Sequence, residues 1–209
     1  MPLFQATSKL ILFLSDCAGN ISAFPQIAFR FLLYITAAVL LTTAPISEAY
    51  SQTDAVHEYD LKATFLYKLV KFIEWPEAAF NDTEGSFVIC ILGEDPFGEM
   101  IERYRGREVF GRMLVIRRVK ELSDKIKYHV LFISLSEREK LSSILKTVKE
   151  SPVLTVGDTE GFCRQGGIVN FVLKNNRISF ETNVKAADRA GLKIRSKLLR
   201  LSTIVETAH

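Results

Sequence analysis

Short strand-like segments that alternate with helical patterns constrain the fold of this chain more than any other feature. Phe87–Leu92 is a continuous apolar run bounded by Gly93, too short for a helix and typical of a strand buried on both faces. Further strands are predicted at Met113–Val119, Tyr128–Ser134 and Pro152–Val156. This alternation predicts an α/β fold with a mixed, mostly parallel sheet flanked by helices on both faces.

Three segments carry the apolar spacing of helices. Asp54–Glu74 presents a broad apolar stripe and stops before Pro76, because proline disfavours helical geometry in the residue that precedes it. Ser136–Lys149 begins with Ser136 and Glu139 placed as a capping box. A last helix is predicted from the spacing of Ile194, Leu198, Leu201 and Val205.

The C-terminal part adds a hairpin to this pattern. Gly157–Gly167 is a glycine-rich loop, and two short strands follow at Ile168–Leu173 and Arg177–Glu181. The asparagines between these strands favour a tight turn, which predicts an antiparallel hairpin at one edge of the sheet. Asn183 is placed to cap a helix that stops near Gly191. We expect a single domain.

The first 49 residues have the composition of an export signal. Arg30 precedes the apolar run Phe31–Leu41, and Ser47-Glu48-Ala49 places small residues where signal peptidase cleaves. Residues 1–49 are therefore predicted to be a signal peptide cleaved after Ala49, and 50–209 a periplasmic domain. The run has about half of the roughly 20 residues that span a bilayer, so an uncleaved anchor is the alternative. The long region before Arg30 indicates either a start site placed too far upstream or a cytoplasmic extension.

The sequence contains no recognisable catalytic motif and no recognisable ligand-binding motif. The net charge of +3 gives no case for nucleic acid, which calls for a dense basic face. The mature histidines, His57, His129 and His209, are far apart in sequence and lack metal-site spacing. A nucleophile elbow is absent, and Gly93–Gly98 lacks the lysine of a P-loop while its Glu94 would repel phosphate. We therefore expect a protein that is not an enzyme and binds no metal or cofactor.

Two residue types leave alternatives open. Cys90 and Cys163 would be in an oxidising compartment, where they either pair or stay free. Cys90 lies in an apolar strand, which favours a buried free thiol, and nothing local activates Cys163 for a Cys–His pair with His129. Trp75, the chain's single tryptophan, is either a core residue or an interface anchor.

A partner-binding surface is predicted in the C-terminal third. Short edge strands leave backbone groups unpaired and one face incompletely covered, which suits partner docking. Beyond Asn183, cations interleave with apolar side chains, which indicates either a solvated helix face or a surface for an acidic partner or anionic lipid. The alternative is that Phe180 and Ile194 are core and that Glu181 pairs with Arg195. The predicted surface consists of Phe171, Phe180, Glu181, Ala187, Leu192, Ile194 and Arg195.

Several segments together resemble the YfiR family. The helix that ends in F-x-x-W-P, the F-E-x-N after the hairpin and the closing A-G-L-x-I-x-S-x-L-L are specific in combination. The resemblance covers nearly all of the mature chain in order. It is carried by Ala63–Pro76, Phe87–Gly93, Gly166–Phe171, Ile178–Val184 and Ala190–Leu201.

The resemblance implies a function that the residues alone do not supply. It implies a periplasmic protein that represses a membrane diguanylate cyclase by binding the cyclase's periplasmic part, which lowers cyclic di-GMP and restrains biofilm formation. It also implies an outer-membrane lipoprotein that relieves repression, and a homodimer. The best-known members carry more cysteines and structural disulfides than Cys90 and Cys163 provide. The alternative is a periplasmic small-ligand carrier, because crevices at the carboxyl ends of strands are common pockets.

Overall fold

The fold is described from a computed structural model. The structure describes residues 47–81, 85–123, 126–175 and 177–208, with side chains from His57 onward. The chain divides into one unit over Met1–Tyr50 and a second over Ser51–His209, and the second carries the fold described below. The predicted signal peptide lies outside the described residues except for Ser47–Ala49, so its cleavage stays a prediction.

Five α-helices and ten strands occur within the described ranges. The helices are α1 (Ser47–Leu69), α2 (Glu99–Glu102), α3 (Leu141–Val148), α4 (Val184–Arg189) and α5 (Ser196–Leu199), and 3₁₀ helices cover Val70–Phe72, Glu77–Phe80 and Leu135–Lys140. The strands are β1 (Ile73–Glu74), β2 (Ser86–Leu92), β3 (Glu108–Val109), β4 (Arg112–Val119), β5 (Val130–Ile133), β6 (Leu154–Gly157), β7 (Val169–Lys174), β8 (Arg177–Thr182), β9 (Lys193–Ile194) and β10 (Ser202–Ile204).

In the part of the chain that the structure describes, eight strands form one sheet in the order β10-β8-β7-β6-β5-β2-β4-β3. Only the β7·β8 and β3·β4 pairs are antiparallel, and the other pairs are parallel. The predicted mixed, mostly parallel sheet is therefore confirmed. The hairpin lies near one end of the sheet, but β10 pairs in parallel with β8 and takes the outermost position.

Two apolar cores lie on opposite faces of this sheet. Because side chains alternate along a strand, Phe87, Ile89 and Ile91 of β2 enter one core while Cys90 and Leu92 enter the other. The first core is closed by α1, α4 and α5, and the second by α3. Helices thus cover both faces, as the pattern of buried strands predicts.

The predicted last helix is wrong. Ile194 belongs instead to β9, where it pairs with Ile73 of β1 in a separate antiparallel ladder. Leu198 lies in the single turn of α5 and is buried, whereas Leu201 is exposed just before β10. The apolar residues of this segment have helical spacing, but each of them contacts a different element. Pairing with strands that are distant in sequence therefore decides the structure here, and the local spacing does not.

Two predicted helix boundaries also change, and one is confirmed. The first helix does not reach Glu74, because the backbone becomes extended at Ile73 to pair with β9. Ser134, rather than Ser136, caps the following turn, and its side chain accepts a hydrogen bond from the Ser136 amide. Asn183 caps α4 as predicted, with its side chain accepting from Ala186 N–H at 2.9 Å.

Phe162 fixes the glycine-rich loop after β6. Its ring is fully buried and lies against the backbones of Gly157 and Gly167. A Cβ at Gly157 would come within 2.5 Å of this ring, and a Cβ at Gly167 within 2.1 Å. Both glycines are therefore required by the close approach of an aromatic ring.

Candidate functional site

A polar crevice opens at the carboxyl ends of β2 and β5. The connection after β2 leads to β4 on one side, and the connection after β5 leads to β6 on the other. The order of strands thus reverses between β2 and β5, and open α/β sheets bind ligands at such a point. The crevice has a volume of about 560 Å³ and is lined by Tyr59, Glu94, Asp95, Pro96, Ser134, Leu135, Ser136, Arg138 and Glu139.

The loop after β2 is fixed by the loop after β5. Gly93 has a φ of 88°, and a Cβ there would lie 2.4 Å from Ser136 Oγ. The Glu94 amide donates to the same hydroxyl oxygen at 3.0 Å. An amide that a phosphate would need is therefore already paired, and the nearby Glu94 and Asp95 carboxylates are acidic. The geometry supports the prediction of a structural turn at Gly93–Gly98 rather than a phosphate cradle.

A buried ion-pair network lies beside the crevice. Lys62 of α1 is only 4% exposed, and its Nζ contacts Glu58 at 2.5 Å and Asp158 at 2.8 Å. Tyr59 donates its hydroxyl hydrogen to Asp158 Oδ2 at 2.8 Å. Burial, reinforced by the Asp158 charge, raises the pKa of Tyr59 well above its usual value. Tyr59 is therefore protonated at neutral pH and donates its hydroxyl hydrogen to Asp158.

The seven residues of the predicted partner surface do not share one accessible face. Phe171, Phe180, Ala187 and Leu192 are at most 8% exposed and belong to the first core. The expectation that Phe171 and Phe180 lie on an incompletely covered face is wrong, because Phe65 of α1 packs edge-on against Phe180 and the Phe180 ring contacts Phe171. The backbone edge of β8 is also occupied, since β10 pairs with it. A partner cannot reach these four side chains in the folded protein.

The other three residues of that surface are at least partly accessible. Glu181 of β8 is half-buried and lies directly opposite Thr203 of β10. It accepts from Asn170 Nδ2 at 3.3 Å. Ile194 packs only partly against the first core. Arg195 is exposed, and its Nε lies 3.1 Å from Glu74 Oε1, so the predicted pairing of Arg195 with Glu181 is wrong.

The two mature cysteines lie in the second core, whereas His129 packs against a residue of the first. Cys90 and Cys163 are free thiols in the second core, and burial raises their pKa to about 11 and about 12. His129 stacks on Phe87 of the first core at 4.4 Å between ring centroids. Cys163 and His129 therefore lie on opposite faces of the sheet and do not form a Cys–His pair.

Sequence reasoning missed an aromatic cluster around the F-x-x-W-P motif. Trp75 contacts Phe87 and Phe110 at centroid distances of 5.4 and 5.9 Å. Phe80 lies 5.0 Å from the His129 ring, and the Arg112 guanidinium lies 4.4 Å above Phe80. The motif could have indicated this neighbourhood, but the strands that supply the other members are distant in sequence. We call Trp75, Phe80, Phe87, Phe110, Arg112 and His129 the aromatic cluster.

Within the described ranges, no three His, Cys, Asp or Glu residues are grouped so that they could hold a metal ion. No helix in these ranges has both the length and the apolarity needed to cross a membrane.

Comparison with known proteins identifies the family. No curated protein matches the chain. A family model described as YfiR/HmsC-like matches residues 59–203, which spans the range from Tyr59 in α1 to Thr203 in β10. The chain therefore belongs to the YfiR/HmsC-like family, a family of periplasmic regulators of cyclic di-GMP signalling and biofilm formation.

Proposed function

We propose that this protein represses an inner-membrane diguanylate cyclase by binding the cyclase's periplasmic part. Family membership carries this proposal, because it supports a role in cyclic di-GMP signalling and suggests a partner of this kind. Repression lowers cyclic di-GMP inside the cell and restrains biofilm formation. The protein acts by binding and catalyses no reaction. It reaches the periplasm through a signal peptide cleaved after Ala49, so the mature chain begins at Tyr50.

The accessible residues suggest where the cyclase binds. β10 is the outermost strand of the sheet at its end, and an outermost strand offers backbone groups to a partner strand. Leu201 and Ile204, at this strand, are 61% and 52% exposed. Arg195 adds an exposed charge nearby in sequence. We define the C-terminal surface as Arg195, Leu201 and Ile204. Glu181 is left out because it pairs with Thr203, so its side chain lies on the opposite face of the sheet from that of Ile204.

The test measures binding of the purified mature protein to the cyclase's periplasmic domain. Leu201→Glu and Ile204→Glu should each weaken binding at least tenfold, because a carboxylate would be buried against the partner. Met113→Glu is the matched control, since Met113 is 56% exposed on β4, near the opposite end of the sheet from β10. Unchanged affinity in both folded C-terminal variants would refute the proposed contact.

Cellular measurements test the function itself. Deletion of the gene should raise cyclic di-GMP, and complementation should restore it. An unchanged level after deletion would contradict repression, whichever surface binds. N-terminal sequencing of the periplasmic protein tests export, and a mature chain that begins at Met1 would contradict the proposed cleavage.

The crevice favours a second candidate function, a periplasmic small-ligand-binding domain. Its support is the position of a cavity of about 560 Å³ where the strand order reverses. Tyr59, Ser134 and Ser136 supply polar groups that suit a small polar ligand. Thermal-shift screening of small metabolites tests this candidate. A hit should be lost in Ser136→Leu, and a hit that survives this change binds elsewhere.

A further inference from the structure

The aromatic cluster contains three buried nitrogen atoms without hydrogen-bond partners. They are Nε1 of Trp75, Nε of Arg112 and Nε2 of His129. A buried donor that lacks a partner destabilises the folded protein, because it has lost its hydrogen bond to water without a replacement. Three such atoms around one set of touching rings are unusual, because buried polar groups are nearly always paired.

All three atoms are hydrogen-bond donors. The indole and guanidinium nitrogens always carry hydrogen. For His129 the tautomer follows from its neighbour, because the Val88 amide donates to Nδ1 at 3.0 Å. A neutral imidazole that accepts at Nδ1 carries its hydrogen on Nε2. The cluster therefore offers donors and, at Arg112, a positive charge.

Phe110 covers this cluster. Its ring is 46% exposed and contacts the rings of Trp75, Phe80 and Phe87, which are more buried. Its φ is 51°, a left-handed conformation that a bulky aromatic residue seldom adopts. Gly111 follows with a φ of 72°, so the β3–β4 turn is of the type that asparagine-glycine forms without strain. A strained, half-exposed ring therefore lies between the solvent and a set of unpaired donors.

We propose that the aromatic cluster binds a carboxylate group, which enters when the Phe110 ring turns aside. A carboxylate accepts hydrogen bonds at both oxygens and donates none, which matches a cluster with three unpaired nitrogen donors. The Arg112 charge favours an anion over a neutral carbonyl. The surrounding rings disfavour a larger, strongly hydrated phosphate, because they offer few groups to replace its water. No residue of the C-terminal surface belongs to the aromatic cluster.

The chain provides its own probe for the test. Trp75 is the single tryptophan, so one indole N–H resonance in a proton–nitrogen NMR spectrum reports on the site. We titrate the full mature protein with sodium acetate, and with sodium chloride at equal ionic strength. Acetate should move the indole N–H downfield and saturate, whereas chloride should not. Absence of a saturable shift with acetate would overturn the proposal.

One variant and its matched control test whether Arg112 binds the acetate. Arg112→Met keeps the apolar stem but removes the donors, and it should weaken acetate binding at least tenfold, since a charge-assisted hydrogen bond is lost. Arg117→Met is the matched control, because Arg117 lies on the same strand with its side chain on the opposite face. Equal affinity in the two variants would overturn the proposal.

Removal of the cover should have the opposite effect. Phe110→Asn retains a residue that tolerates positive φ and deletes the ring, so acetate should bind severalfold more tightly. Unchanged or weaker binding would contradict entry beneath Phe110. A short peptide with one aspartate, compared with the same peptide carrying asparagine, distinguishes the source of the ligand. If the aspartate peptide binds more tightly than both the asparagine peptide and acetate, the ligand is a carboxylate of a protein side chain. If it binds no more tightly than acetate, the ligand is a small free carboxylate.

Discussion

The burial of His129 should make the stability of this protein depend on pH above the range where carboxylates titrate. Burial, together with the charge of Arg112, lowers the pKa of His129 to about 4 from the ordinary value of 6.5. The unfolded chain therefore binds a proton that the folded protein excludes between these two values. Stability is fully present above about pH 6.5 and falls as the pH drops toward 4. Between about pH 7.5 and about pH 5 the loss from this one group is about 2 kcal/mol.

His129→Asn isolates this contribution. The asparagine oxygen can accept the Val88 amide hydrogen in place of Nδ1, so the variant keeps that bond and removes the titrating ring. It should be less stable at neutral pH because ring contacts with Phe80 and Phe87 are lost. Urea denaturation followed by circular dichroism should show a loss of about 2 kcal/mol from pH 7.5 to pH 5 in the wild type only. Equal losses in the two proteins would refute the assignment of the pH dependence to His129.

Three further changes test the core and the networks around it. Lys62→Met leaves the Asp158 carboxylate, whose side chain is 3% exposed, without its countercharge. Urea denaturation should show that the free energy of unfolding falls by about 3–5 kcal/mol. The control, Lys68→Met at an exposed position of the same helix, should change the free energy of unfolding little. Gly167→Ala places a Cβ within 2.1 Å of Phe162 and should lower the free energy of unfolding by about 1–3 kcal/mol. If steric overlap is the cause, adding Phe162→Leu should restore part of that stability. Reducing agent should leave the melting temperature unchanged because Cys90 and Cys163 are free, and a large decrease would reveal a disulfide between them.

Local signals predicted the parts of the fold that local interactions determine. Asparagine is a preferred helix cap, because its side chain can accept a hydrogen bond from an amide near the start of the helix. Asn183 does so, with the amide of Ala186 three residues later. The continuous apolar run Phe87–Leu92 predicts a strand buried on both faces, and each face of the strand does enter a core. The hairpin between β7 and β8 follows from its turn residues, and Asn175 has the positive φ, 51°, that such a turn needs.

The C-terminal segment was mispredicted because its partners are far away in the chain. Ile194 looked like a helical core residue, but its neighbour is Ile73. Phe171 and Phe180 looked like residues of an uncovered edge, but β10 pairs beside them. The same limit applies to the aromatic cluster, since Phe110, Arg112 and His129 come from strands and turns whose approach to Trp75 no local pattern encodes.

The structure also joins two places that the sequence treats as rival binding sites. The C-terminal third and the helix end at Trp75 are distant in sequence, but β1 pairs with β9 through Ile73 with Ile194 and Glu74 with Lys193. The Arg195–Glu74 ion pair crosses the same junction. Arg195 pairs with Glu74, and the next residue in the chain is Trp75 of the aromatic cluster. A partner that contacts Arg195 therefore binds beside the residue that precedes Trp75. Evidence for contact at one of these places is therefore not evidence against the other, and only substitutions that leave the β1·β9 ladder intact can separate their contributions.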